Sequence, residues 1–181
     1  MFRKKDLETR CARAVAQAVG GTAEPEEGEW PDAWIISSVG ERIPAEVVSA
    51  FPEDDASAWA AAYAKAAAKA RSTKGDIPPS WVVHRGQGIV LEAGNLIPVR
   101  TRPVDPVVGI LRALELKTGK YEPAAAASAI LIVHHVQWHS LLEPERLSRV
   151  ADHAAQIGAS FRQIWIVNEY GDPAQKVPFG D

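Results

Sequence analysis

Residues 129–135 read Ala-Ile-Leu-Ile-Val-His-His, a run with no polar side chain before its last two positions. A strand with one wet face alternates apolar and polar residues, so an unbroken run suits a strand covered on both faces, as in the middle of a parallel sheet. Upstream stands Asp105-Pro106, a capping residue with proline at the first helical position; Val107, Ile110, Leu111 and Leu114 then keep helical spacing as far as Gly119. Downstream, Pro144 opens a second helix whose apolar stripe is Leu147, Val150, Ala151 and Ala154. Gly158 closes it ahead of a final strand expected to be buried, 161–168. Residues 105–169 therefore predict helix, strand, helix, strand, with 124–127 as a small-residue linker, which is a parallel crossover pattern.

The first half reads differently. Leu7, Cys11, Ala14, Val15 and Ala18 predict an amphipathic helix over 3–19 that stops at Gly20-Gly21. Residues 22–29 are acidic and rich in helix and strand breakers, with room for one short edge strand. Two β-rich runs, 33–38 and 42–51, are parted by Val39-Gly40-Glu41 and predict a hairpin in which Pro44 leaves one ladder position unpaired. A helix is predicted from Asp54 or Asp55 to about Arg71, then short extended pieces within 80–104. The expected fold is one α/β domain with a mixed sheet: an antiparallel hairpin joined to parallel crossover strands and flanked by helices on both faces. Residues 52–104 form a helix-plus-hairpin insertion in this reading, and 171–181 a loose tail.

This order of elements resembles the core of the PD-(D/E)XK nuclease superfamily, the restriction-endonuclease-like fold, over about 3–51 and 105–169. The residues that carry the resemblance are Pro31-Asp32 at the opening of the first hairpin strand and Ala45-Glu46-Val47-Val48 in the second. The family's pattern implies that Asp32 and Glu46 bind Mg²⁺, with Glu8 of the first helix as an additional acid on the metal side. It also implies a lysine two residues after the second acid, where this chain has Val48. The end of the crossover helix, Leu116-Lys117-Thr118-Gly119-Lys120-Tyr121, looks like the family's Lys- and Tyr-containing segment, and Lys117 is the candidate catalytic cation in place of Val48. The implied activity is magnesium-dependent phosphodiester hydrolysis of nucleic acid; the alternative is an inactive member of the fold that binds nucleic acid or a protein.

The chemistry fits the residue types. Mg²⁺ takes oxygen ligands, commonly one or two carboxylates with waters and a substrate phosphate. Neighbouring strands lie about 4.7–4.9 Å apart, so carboxylates on one face of a hairpin can share an ion. A lysine beside them holds or deprotonates the attacking water and offsets growing negative charge. Lys117 continues the stripe of Ile110 and Leu114, which points it toward the sheet. Each residue also has a plainer reading: Pro-Asp as a turn dipeptide, Glu8 as a solvated helix residue, Lys117 as a cation at a helix C-terminus.

Composition narrows the remaining classes. The net charge of −3 excludes a protein that coats nucleic acid by total charge, so a phosphate-tracking rim has to be local. Lys4 and Arg10, with Arg100 and Arg102 of the insertion, are its candidates, against the plainer reading of scattered surface cations. A single cysteine, Cys11, excludes an internal disulfide and a thiolate metal cage, and its place on an apolar stripe predicts a buried thiol. His134, His135 and His139 lack a third ligand at a diagnostic spacing and are expected as hydrogen-bonded histidines at a strand end. No Gly-x-Gly-x-x-Gly or Gly-x-Ser-x-Gly stands in the sequence. The charged start and the lack of an apolar run of about 18–20 residues lead to the expectation of a cytoplasmic protein without a membrane span. Six tryptophans leave room for an interface with a second copy of the chain.

Overall fold

The structure is a computed structural model that describes residues 4–28, 30–50, 81–84, 87–92, 95–100, 105–135, 140–168 and 173–179. The chain divides into two compact units, Met1–Pro52 with Pro106–Asp181, and Glu53–Asp105.

In the first unit the helix predicted at the start is α1, Lys4–Ala18. It ends in a Schellman arrangement: the Gly21 amide donates to the Ala16 carbonyl and the Gly20 amide to that of Gln17, with Gly20 at φ +71°. Gly21 is needed for a separate reason, since a Cβ there would stand 2.1 Å from the carbonyl oxygen of Ile36. The chain then runs through β1 (Thr22–Pro25), β2 (Ala33–Ile36) and β3 (Arg42–Ala50). Both pairings are antiparallel, with Ala33 opposite Ala45 and Trp34 opposite Pro44.

After the second unit come α2 (Pro106–Thr118) and α3 (Pro123–Ser128), then β7 (Ile130–His135), α4 (Pro144–Gln156), β8 (Gln163–Val167) and β9 (Ala174–Lys176). The six-stranded sheet has the order β1-β2-β3-β7-β8-β9. Its two central pairings, β3 with β7 and β7 with β8, are parallel, and β8 with β9 is antiparallel. The mixed α/β sheet flanked by helices is thus present, and β7 is buried at every position, as its unbroken apolar run requires. Pro44 lies one residue before the parallel ladder, which starts at Ala45 opposite Ile130.

Strand periodicity sorts the core into two layers. Ile43, Ala45, Val47, Ile130, Ile132 and Trp165 turn toward Cys11 and Val15 of α1, and Cys11 is a buried thiol. Ala50, Leu131, Val133, Ile164 and Ile166 turn the other way, toward Val107, Ile110 and Leu114 of α2 and Val150 and Ala154 of α4. Fully buried side chains of this size, such as Ile110, Leu114, Leu131 and Ile132, each contribute about 1.5–3 kcal/mol relative to exposure.

Two segments differ from expectation. The small residues at 124–127 lie inside the short helix α3, because Pro123 starts a turn that alanines propagate readily. The tail is no loose end: Ala174–Lys176 pair with β8, Val177 is fully buried, and Gln175 bonds both the amide and the carbonyl of Leu142, at 2.7 and 3.1 Å. Among the described residues no helix is long and apolar enough to cross a membrane.

The second unit contains an antiparallel meander of β4 (Trp81–His84), β5 (Gln87–Glu92) and β6 (Asn95–Arg100), in the place where extended pieces were expected. The helix predicted at 54–71 lies outside the described residues.

Candidate active site

Asp32 sits immediately before β2, and its position is fixed through β3. Its amide donates to the carbonyl of Ala45 at 3.0 Å, and its Oδ2 accepts from the Val47 amide at 2.8 Å. The carboxylate is therefore clamped against β3 one residue from Glu46. The 26–28 turn supports it from the other side. The Glu26 amide donates to the Asp32 carbonyl at 3.3 Å, while the Glu26 carboxylate accepts from the amides of Glu27 and Gly28 and, at 2.9 Å, from the Trp34 indole. Those three donors, the indole foremost, hold the Glu26 carboxyl below the usual glutamate range.

Glu46 falls between Ala45 and Val47, which face α1, so its side chain faces α2. It is only 3 % exposed, and Asp32 only 6 %. A buried carboxylate demands a charged or hydrogen-bonding partner. Lys117, in the last turn of α2, meets Glu46 Oε1 in an ion pair. Glu46 Oε2 is also buried and has no donor in hydrogen-bonding geometry among the described residues. The Tyr121 phenol belongs to the same cluster. Burial first, then the nearness of the Glu46 and Asp32 carboxylates, pushes the hydroxyl far above the ordinary phenol range, so it stays protonated at any physiological pH.

The outer side is aromatic and basic. The Trp30 and Tyr121 rings lie with centroids 6.2 Å apart at 41°. Lys117 Nζ stands 5.9 Å and Lys120 Nζ 5.1 Å from the Tyr121 ring centre. Both distances are within cation–π range.

Glu8 is buried rather than solvated, at 2 % exposure, with Lys5 Nζ 3.5 Å from its Oε2. Lys5 also donates to the carbonyls of Glu26 and Gly28, at 2.8 and 3.4 Å, which puts this end of α1 beside the turn that supports Asp32. Since α1 covers the opposite face of the sheet, Glu8 approaches from the side away from Lys117. Among the described residues no group of three or more His, Cys, Asp and Glu side chains is arranged to hold a metal ion. Asp32, just before β2, and Glu46, on β3, come from adjacent segments of the sheet, while Glu8 comes from α1.

Of the residues expected to form a phosphate rim, Arg10 is half-buried on α1 and takes part in an interaction. The side chain of Lys4 lies outside the described residues, as does that of Arg100 at the end of β6; all of Arg102 does. His134 and His135 are buried within β7, and His139 lies outside the described residues.

Val48 is half-buried against the α2 layer, on the same face as Glu46. The cation beside Glu46 comes from the neighbouring helix, as Lys117. Trp30 was passed over as a site residue in the sequence, although its place two residues before Asp32 was a usable signal. Comparisons of the chain with protein-family models, with curated proteins and with solved structures find no match.

Proposed function

We propose that this protein hydrolyses phosphodiester bonds of nucleic acid at the Asp32–Glu46–Lys117 site with the help of Mg²⁺. The observation that carries the reading is the Lys117 ammonium on the Glu46 carboxylate, beside an Asp32 carboxylate clamped to the same strand. The donor set suits the ion: two carboxylates with open coordination for water and phosphate are what Mg²⁺ takes, and Glu46 Oε2 is a buried oxygen still lacking a donor among the described residues. Asp32 and Glu46 would hold it. When bound, Mg²⁺ polarises a phosphodiester and lowers the pKa of water.

The protein's own groups supply the rest. The Val47 amide fixes the direction of the Asp32 carboxylate. Lys117 would orient the attacking water and offset charge on the phosphoryl oxygens. Tyr121 keeps its proton at physiological pH and lays its ring beside the Lys117 and Lys120 ammonium groups.

A second reading is favoured by two specific observations: Val48 stands where the family has lysine, and the Glu46–Lys117 pair is buried and already neutral as a pair. In that reading the site is an inert structural pair within a binding module. A calorimetric titration with Mn²⁺ separates the two. The nuclease reading predicts one saturable site that disappears in Glu46→Gln; no saturable binding by the folded wild-type protein contradicts it.

A further inference from the structure

Trp30 is 39 % exposed, while Trp165 of the sheet is 7 % exposed. The exposed indole is two residues from Asp32, its ring is against Tyr121, and the Tyr121 ring lies beside Lys117, which pairs with Glu46. A lid whose task was to seal the carboxylates would bury its indole. This one leaves part of its ring in water next to the exposed Lys120 ammonium, which lies 5.1 Å from the Tyr121 ring centre.

That combination describes a particular ligand. The Lys120 ammonium calls for an anion, and an exposed aromatic surface calls for a flat partner with its own π-face. A nucleotide unit carries both. Bases inside a duplex already stack on one another, so they offer no free face to a side chain unless the duplex opens. Aromatic platforms beside basic grooves are accordingly a device for single strands, and they tolerate any base because each has a π-face.

We propose that the exposed face of the Trp30–Tyr121 pair stacks an unpaired nucleobase while Lys120 holds the adjoining phosphate, so that this site takes single-stranded nucleic acid in preference to duplex. The inference rests on the nuclease reading of Asp32 and Glu46, and it adds the substrate class.

The test measures binding of two labelled probes of equal length, an oligodeoxythymidylate and an abasic strand, by fluorescence anisotropy with Ca²⁺ in place of Mg²⁺. Each base stacked should strengthen binding about five- to hundredfold, so the wild type should prefer the thymidylate by that factor. Trp30→Leu, which keeps an apolar cover but no π-face, should bring the two probes within about twofold of each other while binding the abasic strand as the wild type does. Equal binding of both probes by the wild type, or an undiminished preference in Trp30→Leu, overturns the platform and leaves the carboxylate site standing. If the wild type binds neither probe, the platform and the nuclease reading fall together.

Discussion

Glu46 is as enclosed as a residue of the apolar core, and Lys117 is the group that makes a charge at that depth tolerable. Lys117→Met should therefore cost about 3 kcal/mol, near the lower end for breaking a buried pair because the ammonium keeps some contact with water. Glu46→Gln in the same chain should recover much of that loss, since no lone carboxylate then remains. A double-mutant cycle by urea unfolding checks this: strong coupling between the two sites is expected, and additive losses would contradict the pairing. At this scale the sequence was informative for Asp32, Glu46 and Lys117, whose types and spacing carry chemistry. It was poor for Glu8. A glutamate on a helix carries no local mark of burial, and its enclosure depends on the sheet that α1 covers and on Lys5 reaching the 26–28 turn.

At the scale of elements, the site depends on a short turn that holds Asp32 in place. The Glu26 carboxylate gathers three donors there, and its pKa is depressed from an ordinary value of 4.5. A depressed carboxyl stabilises the fold above its unfolded pKa, and that contribution is lost as pH falls through the lower, folded value. The Trp34 indole N–H signal, assigned in a ¹H–¹⁵N spectrum by its loss in Trp34→Phe, should hold its position through pH 4.5 and move only at lower pH. A shift centred at or above 4.5 would contradict the arrangement. The helices and strands of 105–169 were legible because Asp105-Pro106 and Pro144 mark starts and because β7 shows its double burial as an unbroken apolar run. Strand β9 was not legible: Ala-Gln-Lys has no β-branched or aromatic residue, and it becomes a strand by lying along the free edge of β8.

In the unit built on the six-stranded sheet, the two chain halves meet in the parallel pairing of β3 with β7, which sets Glu46 of one half opposite Leu131 of the other and under α2. That meeting is what no single motif could show, and it explains why a cation absent from β3 can arrive from a helix 71 residues away in sequence. The same unit is closed at its far edge by β9 and the buried Val177. Val177→Ala should cost about 2 kcal/mol, from the lost methyl burial and the cavity left behind. For a chain of this length that is a fall in Tm of about 4–8 °C; a change of less than about 1 °C by calorimetry would mean the tail is not docked as described.

The proposed activity needs the Asp32 carboxylate just before β2, the Glu46 carboxylate on β3 and the lysine of α2 to act together on a phosphodiester. Asp32→Asn tests it best, because asparagine keeps an oxygen for the Val47 amide and removes only the charge. Labelled single-stranded DNA and RNA incubated with wild-type protein and Mg²⁺ should be cleaved, with EDTA and Asp32→Asn each abolishing the products while the melting profile of the variant stays close to wild type. Cleavage that persists undiminished in folded Asp32→Asn would contradict the account, and so would a wild-type protein that cuts neither nucleic acid in Mg²⁺.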